Sequence, residues 1–155
     1  MSVLETIKTR RSVRDFKDQE IPEDAVNALI EATKWAPSAG NLQSRKFYFV
    51  FNKTMKMKLA EAVGNPDLVA RMKKLVKKVL DRNFVSRAPL VVVACLDRKI
   101  SEQYGDRGVR LYSIQDVAAS VMNMMLVAHE LGIGSVWVGG FEEEKVVEIL
   151  KLPHN

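Results

Sequence analysis

The chain contains one cysteine, Cys95, and two histidines, His129 and His154, among its 155 residues. A single thiol excludes an internal disulfide, and so few nitrogen and sulfur ligands supply a metal cluster poorly. Cys95 lies in the apolar run Val91-Val92-Val93-Ala94-Cys95-Leu96, where a packed small hydrophobe is preferred over a nucleophile. Long hydrophobic runs are also missing. The longest strings, Phe47 to Phe51 and Pro89 to Leu96, are of strand length, well short of the ~18–20 residues that span a bilayer. Met1-Ser2-Val3-Leu4-Glu5 lacks the apolar core of a secretory leader, so a cytoplasmic protein with no membrane partner is expected. There is no G-x-x-x-x-G-K-S/T phosphate loop. Gly132-Ile133-Gly134-Ser135-Val136-Trp137 starts like a dinucleotide fingerprint but lacks its third glycine. It also leads from a helix into a strand, the reverse of the required order. Neither histidine has a local partner for a Ser/His/Asp arrangement, and a packed or surface histidine is the favoured reading of His129.

With 47% hydrophobic residues, the chain can bury one core, and residues 1–155 read as a single domain. The formal charge of +5 favours anionic partners. The basic residues form two clusters. One is Arg10, Arg11 and Arg14; the other runs through Arg71, Lys73, Lys74, Lys77, Lys78 and Arg82. No aromatic residue interleaves with the second cluster, so a solvated helix face is preferred there over a nucleic-acid surface.

Ser2-Val3-Leu4-Glu5 fits a capping box and predicts a short helix over 3–10, with Leu4 and Ile7 on one face. Ile21-Pro22-Glu23-Asp24 opens a second helix that Pro37 stops. Phe47 to Phe51 is a strand candidate. Asn52 caps a helix with Met55, Leu59 and Val63 inward and Gly64 at its end. Pro66 opens a further helix carrying Leu68, Met72, Leu75, Val76 and Val79 as its apolar stripe. Residues 89–96 form a second strand, 98–110 are polar and irregular, and a long helix is expected over 111–131. That helix is apolar on more than one face, as a central or interface helix is. A third strand, Ser135 to Val138, ends at Gly139-Gly140 before a final helix from Glu142. Strands separated by helices give an α+β pattern around a small sheet.

Three segments carry possible chemistry. Arg10-Arg11-Ser12-Val13-Arg14 places three guanidiniums and a hydroxyl within five residues, and guanidinium pairs with phosphate through parallel charge-assisted hydrogen bonds. The same residues could instead satisfy the last carbonyls of the first helix. Pro37-Ser38-Ala39-Gly40-Asn41-Leu42-Gln43 offers polar side chains to a heterocycle edge, or is simply a loop. Trp137-Val138-Gly139-Gly140-Phe141 lets backbone N–H groups approach a flat ligand, or is an ordinary turn.

In this order, and with the helix Ser113-Ile114-Gln115-Asp116-Val117-Ala118-Ala119-Ser120 leading to Leu131-Gly132-Ile133-Gly134, these segments resemble the nitroreductase family of FMN enzymes. The resemblance covers nearly the whole chain, and the FMN assignment follows from it alone. It implies a nitroreductase-like α+β fold, with a small central sheet flanked by helices in an intertwined homodimer that holds two flavins at its interface. Arg10, Arg11, Ser12 and Arg14 would bind the FMN phosphate and ribityl chain. Pro37, Ser38, Ala39, Asn41 and Gln43 would lie against the flavin of the partner subunit. Val138, Gly139 and Gly140 would present backbone N–H groups to the reactive ring nitrogen.

The activity implied is two-step, ping-pong hydride transfer from NADH or NADPH to a nitroaromatic, quinone or similar small acceptor, with no catalytic side chain. The alternatives are a non-catalytic FMN-binding or storage protein and a specialised flavin enzyme of reductive-dehalogenase or flavin-fragmenting type. Members usually continue into a segment that embraces the partner and adds a basic residue for the phosphate. The present sequence ends at Leu152-Pro153-His154-Asn155.

Overall fold

A computed structural model describes residues 2–64 and 83–153. The helix expected from Pro66, its lysines and His154 lie outside the described residues.

Local capping chemistry sets the first elements. Helix α1 (Val3–Thr9) starts where the Ser2 hydroxyl accepts from Glu5 N at 3.2 Å. Helix α2 (Glu23–Lys34) has Glu23 and Asp24 in its first turn and stops three residues before Pro37. After a 3-10 turn (Ala39–Asn41) comes strand β1 (Arg45–Val50). Asn52 Oδ1 accepts from Met55 N at 3.0 Å to open α3 (Lys53–Ala62), and Gly64 follows it at φ 94°. Helix α4 (Asn83–Arg87) leads into strand β2 (Val91–Leu96).

The strands pair antiparallel, with Arg45 opposite Leu96 and Val50 opposite Val91. Their alternating side chains separate two cores. Phe47, Phe49 and Val92 pack on Leu29 of α2 and on Met124 and Ala128 of α6 (Ser113–Glu130). Val50, Val91 and Val93 pack on Leu59 and Ala62 of α3 and on Val146 of α7 (Glu143–Leu150). The sheet is therefore sandwiched between two helical layers, as the α+β pattern requires.

Two sequence expectations are corrected. Residues 98–110 are helical: a 3-10 turn (Arg98–Ile100), helix α5 (Ser101–Arg107) and a π turn (Gly108–Tyr112) lead straight into α6. Asp97 caps the first turn by accepting from Lys99 N at 3.1 Å. The anchor is tertiary: Ile100 is fully buried, and a Cβ on Gly108 would come within 3.0 Å of the Ile100 carbonyl oxygen. A polar stretch with one inward residue carries too little periodicity to announce this.

The other correction concerns Ser135 to Val138, which does not form a third strand. Ser135 makes an isolated parallel bridge to Ser12, and Phe141 makes an antiparallel one to Val63. Between these bridges Val136 and Val138 pack toward Phe84 and Val85. An apolar cavity of about 360 Å3 separates the segment from the edge of β2, so the backbones do not pair.

The helical run 98–130 has the length and mean hydropathy of a membrane-crossing helix. Here it breaks at Gly105 (φ 56°, ψ −151°), buries Asp116 and packs against α1, α2 and both strands. Ile114 and Met122 remain exposed on it, so its apolar surface does extend beyond one face.

Candidate functional site

The expected site residues fall into two groups at opposite ends of α6. At the C-terminal end, the Thr9 hydroxyl donates to Glu5 O at 2.7 Å, so its contact with His129 Nε2 at 2.9 Å is one in which the imidazole N–H donates. This joins α1 to the last turn of α6. Arg10 ends α1, its N–H donating to Thr6 O at 3.0 Å. Ser12 then bridges Ser135, with Val13 N donating to Ser135 O at 3.0 Å. Gly134 is required by this approach, because a Cβ there would meet the Val13 side chain at 2.9 Å. The basic segment thus lies beside the chain that continues to Val138, Gly139 and Gly140.

The three arginines are not equivalent. Arg11 Nη1 donates to Lys8 O at 2.7 Å and Arg10 O at 2.8 Å, the helix-capping use of such a residue. Arg14 is exposed and has no partner among the described residues. Arg10 Nη1 is buried with no hydrogen-bond partner, and so is Ser135 Oγ. Buried donors left unpaired cost free energy, and two of them flanking one backbone bridge mark a place built to be completed by an acceptor.

The glycine turn is held from below. Gly64 N donates to Gly140 O at 2.7 Å, and Glu142 N donates to Ala62 O at 2.8 Å. Above Gly139 and Gly140 a Cβ would meet nothing within 4 Å. Three residues separate Ser135 from Gly139, a span of at most about 13 Å. The unpaired Arg10 and Ser135 atoms at one end and the open backbone turn at the other therefore lie along one segment.

The loop 37–43 lies at the other end of α6. Ala39 N donates to both oxygens of Asp116 at 3.2 Å. Gln43 N donates to Ser38 Oγ at 3.1 Å, and Gln43 Nε2 to Asn41 Oδ1 at 3.4 Å. Gly40, Asn41 and Gln43 all have positive φ, at 54°, 54° and 48°. Two non-glycine residues in that region are unusual and persist only where surroundings over-determine them. Arg45 is one such constraint. Its Nη2 donates to Thr33 O, Lys34 O and Ala36 O at 3.2, 3.3 and 2.9 Å, and its Nη1 reaches Pro37 O at 3.5 Å. This one guanidinium ties the end of α2 to the loop. Burial lowers the pKa of Arg45, and the nearby Asp116 charge opposes that shift.

The structure brings Arg10, Ser12 and Arg14 into one neighbourhood, and Val138 to Gly140 onto the same segment. It does not bring Pro37, Ser38, Ala39, Asn41 and Gln43 to them. Asp116 and His129 are thirteen residues apart on α6, which puts the two groups about 20 Å apart along its axis. Sequence reasoning missed Asp116, Arg45 and Ser135. Asp116 reads as an acid in the first turn of a helix, Arg45 as a strand-edge cation and Ser135 as a strand start, and none of those local signals reports its distant partner. Among the described residues, no group of three or more His, Cys, Asp or Glu could hold a metal ion.

Known proteins share this fold. A family model described as the nitroreductase family matches residues 7–155. A protein of Methanothermobacter thermautotrophicus, provisionally named an NADH dehydrogenase/NAD(P)H nitroreductase, is 32% identical over 148 residues, 96% of this chain. The match spans 66% of that relative, just under two thirds of its length. The crystal structure of a nitroreductase family protein from Clostridium novyi NT superposes with a TM-score of 0.83 at 28% identity, covering 100% of this chain and 79% of that one. A protein from Desulfovibrio desulfuricans, provisionally named a nitroreductase and solved in complex with FMN, gives a TM-score of 0.77 at 27% identity over 97% of this chain and 77% of its own. With nearly the whole sequence matched by the family model and the fold shared with these structures, the chain belongs to the nitroreductase family.

Proposed function

We propose that the protein is an FMN-dependent oxidoreductase that takes hydride from NADH or NADPH and delivers it to a small acceptor of nitroaromatic or quinone type. The observation that carries this reading is the pair of orphaned buried atoms, Arg10 Nη1 and Ser135 Oγ, on either side of the Ser12 bridge. A phosphate placed there would accept from both and from the Ser12 hydroxyl, and the free Arg14 guanidinium would add charge. The open turn at Val138, Gly139 and Gly140 suits the ring of the same molecule. These residues fit FMN. Arg11 would join them only through Nε and Nη2, since its Nη1 holds the carbonyls of Lys8 and Arg10.

Bound FMN would supply the two-electron hydride chemistry. The protein's part is to hold the phosphate, to keep the ring against backbone N–H donors that stabilise negative charge on it, and to leave one face open for donor and acceptor in turn. No acid or base side chain is required of the protein, and the reaction belongs in the cytoplasm, where nicotinamide nucleotides are at hand.

The reading includes a homodimer. The loop 37–43 and the arginines of one chain lie about 20 Å apart along α6. Two copies packed with their α6 helices antiparallel would set one copy's loop beside the other's arginines. The surface for this is apolar: Val3 is 75% and Trp35 79% exposed, and Leu4, Ile7 and Met122 are exposed as well. Val3, Ala32, Trp35 and Leu126 line a groove between α1, α2 and α6.

The test is a visible spectrum of the purified protein after incubation with FMN and desalting, followed by NADH or NADPH without oxygen. A retained flavin that bleaches is the expected result. A retained flavin that stays oxidised would turn the reading toward storage, and a colourless protein would overturn it. Light scattering should give twice the chain mass, and a monomer that retains flavin would remove the dimer from the reading.

A further inference from the structure

The segment that leads into α6 carries an assembly that the FMN site does not use. Gly105 breaks α5 at φ 56° and ψ −151°, a conformation open essentially to glycine alone, and a π turn follows. This break places three side chains in a row beginning at the loop 37–43. The Tyr104 hydroxyl sits where a Cβ on Gly40 would come within 2.6 Å, with Gln103 Nε2 at 3.5 Å. The Tyr104 ring meets the Tyr112 ring edge to face, with centroids 5.3 Å apart at 87°. The Arg107 guanidinium carbon lies 5.6 Å from the centroid of the Tyr112 ring, while Arg107 Nε donates to the Tyr112 hydroxyl at 3.0 Å.

Arg107 is exposed, and among the described residues no carboxylate pairs with it. The adjacent Asp106 faces Arg110 instead, at 3.4 Å. Both terminal nitrogens of Arg107 therefore keep their donors available, on a guanidinium whose orientation the tyrosine sets. Such a preorganised fork matches a carboxylate or phosphate better than a mobile surface lysine does, because less side-chain freedom is lost on binding. The neighbouring tyrosine edges offer stacking surface to an aromatic ring.

We infer that Arg107, held by Tyr112 and backed by Tyr104, is a specificity subsite for an anionic oxygen group on a ligand that enters over the loop 37–43. This rests on the proposed function, in which that loop borders the flavin. Two ligands could bring the anion: an aromatic acceptor bearing a carboxylate, or the diphosphate of the nicotinamide nucleotide. Tyr112 acts on the ligand through Arg107 and is a positioning residue.

The test compares Arg107→Gln with Arg110→Gln, a nearby charge already paired with Asp106. The acceptors are 4-nitrobenzoate and the neutral 4-nitrobenzyl alcohol, with NADH and NADPH varied in turn. Benzoate, which is not reduced, serves as a binding probe by calorimetry on the protein as purified, so that subsite binding is read without turnover. Loss of one charge-assisted contact predicts a Kd for benzoate about ten-fold weaker in Arg107→Gln. The KM ratio of 4-nitrobenzoate to 4-nitrobenzyl alcohol should rise by a similar factor. Arg107→Lys should recover part of the loss, and Tyr112→Phe should lose about three-fold through its released guanidinium. If the KM for NADH and NADPH rises instead, equally with both acceptors, the anion is the diphosphate and the subsite stands. The inference is overturned if Arg107→Gln changes neither the benzoate Kd, nor the acceptor KM ratio, nor the KM for NADH and NADPH, or if Arg110→Gln changes them as much. A protein that retains no flavin yet binds benzoate through Arg107 would remove the proposed function and leave the subsite.

Discussion

The two ends of α6 make different use of polar side chains. At the N-terminal end the backbone groups that shape the loop 37–43 are held within the chain, Ala39 N by Asp116, Gln43 N by Ser38 and four carbonyls by Arg45, and only the adjacent Ser44 Oγ is buried without a partner among the described residues. At the C-terminal end Arg10 Nη1 and Ser135 Oγ are buried without partners, and Arg14 is free among the described residues. The first end is a finished scaffold that can present its strained backbone before any ligand arrives. The second stores unpaired hydrogen-bonding capacity, which only a ligand releases as binding energy. Substitutions at the first end should therefore change stability, and substitutions at the second should change affinity.

The largest expected departure is at the unfinished end. Arg10→Ala combined with Arg14→Ala should weaken FMN binding by a factor of about 100 or more, since two charge-assisted contacts are lost, while circular dichroism shows the fold unchanged. Arg11→Ala should cost far less affinity, because its guanidinium already serves the end of α1. Equal losses from Arg11→Ala and the double variant, measured by flavin retained after dialysis, would erase the distinction among the three arginines.

At the finished end, Arg45→Met should destabilise the protein by about 2–3 kcal/mol in urea, because it strands carbonyls at the close of α2. Flavin affinity per folded molecule should hold. Gly40→Ala should cost about 1–2 kcal/mol, from its positive φ and from the encounter with the Tyr104 hydroxyl. Tyr104→Phe introduced alongside should return part of that, and a strictly additive double variant would deny the contact.

The smallest effect concerns Asp97, whose N–H donates to Ser44 O at the same end. Its carboxyl is held below its ordinary range, first by accepting from Lys99 N and then by Lys46. Its contribution is present above the unfolded pKa of about 3.9 and fades as pH falls through the lower folded value. Its partner Lys46 is exposed and solvent screens the pair, so Asp97→Asn should flatten the acid limb of stability by no more than about 0.5 kcal/mol. The variant should therefore lose this increment at neutral pH and match the parent in strong acid; a difference that persists at about pH 2 would mean that another group is responsible.

Legibility in the sequence followed the range of each interaction. Ser2 and Asn52 cap α1 and α3 as their spacing requires, because a side chain and the N–H three residues on are neighbours in any helix start. Leu29, Leu59 and Met124 are buried, and the first two were visible in helical spacing. The π turn and the helical form of 98–110 are not, because a polar stretch with one buried residue, Ile100, packed close on Gly108, carries no periodic signal. The third strand failed for a related reason. Ser135 to Val138 has the alternation of a strand, but its side chains pack on Phe84 and Val85 and a cavity is lined by both it and β2, while its backbone bridges Ser12 instead.

The sequence by itself determined the α+β class, the capped helices, the family membership and the three segments from which the proposed site is drawn, since each of these rests on residue identity and short spacing. Only the tertiary structure decided that the Arg11 guanidinium caps a helix while those of Arg10 and Arg14 do not, that Asp116 and Arg45 hold the loop, and that the loop and the arginines stand at opposite ends of α6. Those outcomes depend on which groups remain unpaired once the chain has packed, and hydrogen-bond satisfaction is a property of the whole fold.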